Sequence, residues 1–166
     1  DPENQHLKDE ISLSRFEKLI FVSNYQMHTF HLGLGVPFDR GHVMRNAIDP
    51  IPNKLIDKPD PKKEIRLIYH TTPHRGLELL VPVFEFLCKE HKNIHLDVFS
   101  SFEIYGWKHR DEQYSQVFET CQNHPQITYH GYQPHDKVME ALGRAHIFAF
   151  PSIWVETSCI AAIEAM

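Results

Sequence analysis

Glycine is scarce in this chain, at 7 of 166 residues, and cysteine is scarcer, at 3. Cys88, Cys121 and Cys159 are far apart and form no Cys-x-x-Cys pair. The sequence therefore offers no disulfide framework and points to a reducing compartment. No apolar run approaches the roughly 18 residues of a membrane-spanning helix, and the polar start shows no signal-peptide pattern. An excess of positive charge is also missing. The formal net charge is −5, so no global basic field exists to gather nucleic acid. Tyr105, Trp107 and Tyr114 lie amid mixed charge without a basic stripe, which sets aside a nucleic-acid stacking surface. The Gly33-Leu34-Gly35 pair follows a helical pattern rather than a strand, so it is no dinucleotide fingerprint.

Histidine is abundant, at 13 residues. His28/His31, His70/His74 and His91/His95 have spacings that place both members on one helix face. None joins a third ligand in a zinc pattern such as His-Glu-x-x-His, so no metal site is expected.

Residues 1–17 read as a polar tail, with Asp1–Glu10 a frayed end. Lys18–Ser23 is a short apolar run of the kind a buried parallel strand shows. Asn24–Leu34 has helical spacing, with Met27, Phe30 and Leu34 on one face, and His42–Arg45 reads as another short strand. Residues 18–50 thus form a strand–helix and a connecting segment. Prolines at 50, 52, 59 and 61 mark residues 51–63 as an extended linker. From residue 64 to 166 strands and helices alternate. Strands are expected at Ile65–Tyr69, Ile94–Ser100, Ile127–His130 and Ile147–Phe150. Helices are expected at Gly76–Glu90, with Pro82 delaying or kinking it, and at Arg110–His124, Pro134–Leu142 and Thr157–Met166. This alternation predicts an α/β fold, a Rossmann-like parallel sheet with helices on both faces. The last helix carries no stop signal, so the chain reads as a piece of a longer protein, incomplete at its C-terminus.

In open parallel sheets ligands bind at the carboxyl ends of the strands. Three loops there are chemically loaded: Tyr69–Gly76 (YHTTPHRG), His130–Pro134 (HGYQP) and Pro151–Cys159 (PSIWVETSC). In the third, seven residues separate Glu156 from Glu164. A helix beginning near Ser158 would set Glu156 before its first turn and aim the free amides of Ser158, Cys159 and Ile160 outward as an anion site. Spacing alone favours a plainer reading, in which Glu156 is an N-terminal helix acid and Glu164 sits on a solvated face.

The stretch PSIWVETSCIAAIEAM resembles the signature of retaining GT-B glycosyltransferases of glycosyltransferase family 4. KLIFVSNYQ, RNAIDP, TTPHRGLELLVPVF and ITYHGYQPHDKVMEALGRAHIFAFPS resemble other segments of that family in the same order. The resemblance spans Lys18 to Met166. It implies the donor-binding, C-terminal half of a GT-B fold preceded by the last strand–helix of the partner domain. Glu156 would contact the donor sugar near the reacting carbon and act as the catalytic residue. Glu164 would bind the nucleotide ribose, and Ser158, Cys159 and Ile160 the sugar or diphosphate. Arg75 and His70 would flank the diphosphate, and Gly131, Tyr132 and Gln133 would border the base. His70 departs from the family's usual arginine; it can donate a hydrogen bond and, if protonated, supply charge. Thr157-Ser158-Cys159 replaces a common glycine and aromatic, and Ala47 replaces a glycine.

The resemblance further implies a UDP-, GDP- or ADP-sugar donor and a glycan or glycolipid acceptor bound through the missing N-terminal domain. A bacterial-type surface glycan such as lipopolysaccharide or polysaccharide is the expected product. Transfer is expected to need no cofactor or metal and to take place in the cytoplasm, with peripheral membrane association left to the full-length protein. The chain alone is expected to be inactive. The alternative is a stand-alone nucleotide- or phosphate-binding α/β module without transferase activity.

Overall fold

The structure is a computed structural model that describes residues 2–49, 52 and 56–166. Pro50 and residues 51 and 53–55 of the expected linker lie outside the described residues. The chain divides into two compact units: residues 1–48 with 156–160, and residues 49–155 with 161–166.

In the first unit the segment expected to fray is ordered helix. A 3-10 helix, Pro2–Lys8, leads into a short helix α1, Glu10–Leu13. The Asp9 carboxylate caps α1 by accepting from Ser12 N at 2.9 Å. Leu7, buried with Phe21 and Val36, and Leu13 beside it anchor this segment, and two apolar anchors are too few to register as periodicity. Strand β1, Leu19–Phe21, pairs in parallel with β2, Gly41–Val43. Between them α2, Asn24–Leu34, has the bounds its spacing predicts. Ser23 Oγ accepts from Gln26 N at 3.1 Å while Gln26 Oε1 accepts from Val22 N at 2.9 Å, a reciprocal N-terminal cap. Gly35, at φ 75°, ends the helix in the left-handed region. Met27, Phe30 and Leu34 pack on the small core as expected.

The second unit holds a four-stranded, all-parallel sheet in the order β5-β4-β3-β6. Its strands are β3, Ile65–Tyr69; β4, Ile94–Val98; β5, Ile127–Tyr129; and β6, Ile147–Phe148. The central pair, β3 and β4, carry most of the buried apolar strand residues, with Arg66 and Asp97 paired between them. Leu67, Tyr69, Leu96 and Val98 pack on helices α3, Leu77–Glu90, and α4, Ser115–Asn123, through Leu77, Val81, Phe84, Phe118 and Cys121. On the other face Ile68 packs with Ala145 and with Val138, Ala141 and Leu142 of α5, His135–Arg144. Helices on both faces of a parallel sheet are the fold class the sequence predicts. Pro82 sits within α3 without ending it.

Several boundaries differ from expectation: β1, β4 and β5 are shorter, β2 begins at Gly41 and ends at Val43, and α5 runs on to Arg144. Residues Lys108–Tyr114 form a 3-10 helix before α4 rather than its first turns. Asp111 holds that stretch back to the loop after β4, accepting from Phe102 N at 2.8 Å and from the Ser101 hydroxyl. Strand β6 stops at Phe148, although Ala149 N still donates to Ile68 O at 2.8 Å. The last helix, α6, runs Ile160–Ala165, so it does not begin near Ser158. The Ser158 carbonyl accepts from Asn46 Nδ2 at 3.2 Å and is thereby held out of the helical ladder. Ser158 and Cys159 precede the helix, and only Ile160 of the three predicted amide donors belongs to its first turn.

No helix among the described residues is long and apolar enough to cross a membrane. Cys88 and Cys121 are buried and Cys159 is partly buried, all as free thiols.

Candidate functional site

All strands of the second unit are parallel, so their carboxyl ends and the loops that follow share one edge of the sheet. From β3 the order steps through β4 to β5, and β6 then returns to the other side of β3. The strand order therefore reverses between β3 and β6, which is where open α/β sheets leave a crevice for ligands. The loops bordering that crevice are 70–76 and 149–155.

These two loops touch at a glycine. Gly76 has φ 104°, and a Cβ built on it would lie 2.3 Å from Pro151 O. Only glycine supplies both the left-handed backbone and the close approach. Within the first loop Tyr69 Oη donates to Thr72 O at 2.9 Å, and burial raises the Tyr69 pKa well above its ordinary value. Pro73–Arg75 then makes one 3-10 turn into Gly76.

His70 begins the loop, with its side chain only 3% exposed. Burial pushes its pKa down to about 4, against a smaller opposing pull from Glu164. His70 is therefore neutral at pH 7. The option of a protonated, charge-supplying His70 gives way to a neutral imidazole, which retains its capacity to donate one hydrogen bond. Its ring lies 4.8 Å from that of Phe148, and its Nε2 has no partner among the described residues. Thr72 Oγ1, His74 Nδ1 and Ser100 Oγ are likewise buried without a partner. All four lie in the loops after β3 and β4. Buried polar atoms are nearly always satisfied by protein, water or ligand, so this edge has unmet hydrogen-bonding capacity.

Glu164, on α6, is brought to His70. Its Oε2 lies 4.0 Å from His70 Nδ1, and its Oε1 accepts from His135 Nε2 at 2.8 Å. With a side chain 12% exposed, Glu164 does not occupy the solvated face that spacing alone favours. His135 is a residue the sequence did not single out. It opens α5, 29 positions before Glu164, and no local pattern links the two.

The loop after β5 is fixed from below. His130 Nε2 donates to Asp97 Oδ1 at 2.9 Å, and its ring stacks on Phe99 at 4.1 Å and 5°. Asp97 also accepts from Arg66 Nη2 at 2.7 Å and Nε at 3.1 Å. Burial alone would raise the Asp97 pKa, but hydrogen bonds from His130 and Arg66 outweigh it and hold the carboxyl below its ordinary value. Above this anchor Gly131 takes φ 64°, Tyr132 is exposed, and Gln133 Nε2 donates to His130 O at 3.0 Å.

His70, Arg75, Gly131, Tyr132, Gln133 and Glu164 all belong to the second unit, which brings His70 and Glu164 together. Glu156, Ser158, Cys159 and Ile160 group with the first unit. No non-glycine among the described residues has a positive φ. Thr157, Ser158, Cys159 and Ala47 therefore cost no backbone strain where the family pattern carries glycine. Among the described residues no three His, Cys, Asp or Glu side chains gather where a metal ion could be held.

This architecture, parallel sheets flanked by helices with loops converging on a switch point, is the α/β fold of the GT-B glycosyltransferases. Solved structures bear this out. A glycosyltransferase from Rickettsia africae ESF-5 superposes with a TM-score of 0.71 at 16% identity, covering 99% of this chain and 45% of its own. The Anabaena protein HepE, in complex with UDP and glucose, gives a TM-score of 0.68 at 14% identity, covering 99% of this chain and 47% of its own. Sucrose-phosphate synthase from Thermosynechococcus elongatus gives 0.64 at 17% identity, covering 95% and 42%. The chain spans less than half the length of each of these structures. No curated protein matches it by sequence. The family model for glycosyl transferases group 1 matches residues 53–166, and the chain belongs to that family.

Proposed function

We propose that this chain supplies the donor-binding part of an enzyme that moves a sugar from a nucleotide-diphosphate sugar to a glycan or glycolipid, with retention of anomeric configuration. The observation that carries the reading is the crevice between β3 and β6. Arg75 and the buried, neutral His70 stand in the loop on one side of it, and the family match covers all of it. The bound UDP and glucose of HepE, a structural neighbour, support a nucleotide-sugar ligand.

Breaking the sugar–phosphate bond builds negative charge on the diphosphate and oxocarbenium character on the sugar. Arg75 offers the diphosphate a fixed guanidinium suited to bidentate contact. His70 adds a hydrogen bond rather than a charge. The diphosphate clamp thus rests on one cation, and preorganised donors carry more of the stabilisation. Glu164 takes the ribose, its orientation set by His135. Gly131, Tyr132 and Gln133 border the base on the loop that Asp97 and His130 hold. Glu156, by its position in the motif, faces the developing charge on the sugar, with Ser158, Cys159 and Ile160 beside it. Retention proceeds by front-face attack, the departing phosphate helping to take the acceptor proton, without a metal ion. The reaction belongs in the cytoplasm, where free thiols persist. The chain alone binds nucleotide and transfers no sugar.

Glu156→Gln in the full-length enzyme tests the catalytic assignment. Turnover is expected to fall at least about a hundredfold, as removal of one transition-state contact does, with KM for the donor little changed. Near-wild-type turnover rejects the assignment.

A further inference from the structure

Beyond the switch-point crevice the second unit carries an open groove of about 980 Å³, walled by the loops after β3, β4 and β6. It belongs to none of the donor contacts above except through Arg75. Three large rings stand exposed along it: Tyr105, 52%; Trp107, 47%; and Trp154, 58%. Singly exposed apolar residues are ordinary, but three aromatics in one concavity mark a binding surface. The rings are held, not loose. His74 lies between Phe102, stacked at 5.3 Å and 15°, and Trp154, edge-on at 5.1 Å and 89°. Gly106, at φ 72°, turns the chain between Tyr105 and Trp107, and Asp111 ties the following helix back to Phe102 N.

The charge of the groove is opposite to that of the chain. Net charge is −5 overall, yet the lining holds Arg75 and Arg110 with Glu112 as its one carboxylate. The Arg110 guanidinium lies 4.8 Å from the centre of the Trp107 ring, a cation–π pairing that leaves its N–H edge for a ligand. His74 registers the same field. Burial first, and then the charges of Arg75 and Arg110, hold its pKa below the ordinary value, and its Nδ1 is buried without a partner.

Flat aromatic faces beside guanidinium groups suit a ligand with apolar C–H faces, hydroxyls and negative charge. The rings do not form a parallel clamp for one planar base. Tyr105 and Trp107 meet at 5.4 Å and 46°, a tilted pair whose exposed surfaces differ in direction, as successive rings of a sugar chain do. The volume is at the upper end of ordinary small-ligand sites, more than one sugar ring fills. We propose that this groove binds an acidic oligosaccharide, with a carboxylate on Arg110 and sugar rings on Trp107, Tyr105 and Trp154.

Both tryptophans of the chain line the groove, so intrinsic fluorescence reports on it directly. The 166-residue chain is titrated with tetragalacturonate, with maltotetraose as the neutral chain of equal length, and with UDP, GDP and ADP. Tetragalacturonate is expected to give a saturable change in emission, and maltotetraose to bind at least tenfold more weakly. Trp107→Ala and Arg110→Gln should each weaken tetragalacturonate at least tenfold by calorimetry while leaving UDP affinity unchanged. Trp107 is half exposed and Arg110→Gln keeps the side-chain length, so both variants should retain the wild-type circular dichroism. The proposal is overturned by no saturable response to tetragalacturonate, by equal affinity for the two sugars, by variants that leave affinity unaltered, or by loss of UDP affinity in Trp107→Ala. Tetragalacturonate binding without any binding of UDP, GDP or ADP would sink the donor reading and uphold the groove.

Discussion

Gly76 and Pro151 meet so closely that a Cβ at Gly76 would stand 2.3 Å from the Pro151 carbonyl oxygen. That contact joins the loop after β3 to the loop after β6 across the point where the strand order reverses. Gly76→Ala forces both a side-chain clash with rigid backbone and a positive φ. Stability should fall by about 2 kcal/mol or more, read as a lower urea midpoint at unchanged slope. An unchanged midpoint would contradict the close approach.

Asp97 is the anchor of the base-side loop. Asp97→Ala leaves Arg66, with a side chain 20% exposed, without its main partner and frees His130. Removing one member of a buried pair costs about 3 kcal/mol, and urea denaturation measures it. Because its folded pKa lies below the ordinary value, Asp97 contributes stability above pH 4 that is lost as pH falls through its folded pKa. In Asp97→Asn that acid-side loss should shrink.

His70 gives a second pH signature of the same direction. Its folded pKa is near 4 against an ordinary 6.5, so below pH 6.5 the unfolded chain binds a proton the folded chain refuses. Stability should fall as pH drops from 6.5 toward 4, by up to about 3 kcal/mol. Two groups face the ring: Glu164, which favours its protonation, and His135, which opposes it. The His70 ring protons, followed by NMR, should titrate near pH 4. Titration near 6.5 would refute the buried, neutral state, and His70→Gln should flatten the stability profile between those pH values.

His135→Ala removes the hydrogen bond at 2.8 Å to Glu164 and leaves the diphosphate side untouched. UDP affinity should weaken about threefold to tenfold, the net worth of one solvent-exposed hydrogen bond, with stability within about 1 kcal/mol of wild type. Calorimetry separates the two. A variant that binds UDP as wild type would show that His135 does not position Glu164.

Strands covered on both faces were the most legible part of the fold. Ile65–Tyr69 is a strand over the whole predicted run, because its apolar residues Leu67, Ile68 and Tyr69 are buried on both faces of the sheet. Helix α2 was equally plain, since Ser23 and Gly35 mark its ends chemically. The N-terminal helices were not, because only Leu7 and Leu13 commit them to the core, too few to show a period. At the site, the motif and loop positions were readable, but their partners were not. Asp97 reaches His130 and Glu164 reaches His135 only through the sheet order, over 33 and 29 residues. The groove escaped for the same reason. In the sequence Tyr105, Trp107 and Tyr114 lie amid mixed charge without a basic stripe, and the fold sets Arg75, His74 and Trp154 beside them.

The central claim is that a nucleoside diphosphate binds at the carboxyl edge of the β3–β6 crevice. NMR titration of the isotopically labelled chain with UDP, GDP and ADP tests it most directly. One of the three should give saturable shifts at His70, Arg75, residues 131–133 and Glu164, weakened at least tenfold by Arg75→Ala and by Glu164→Ala. Shifts confined elsewhere, or affinity unchanged in both variants, would contradict it.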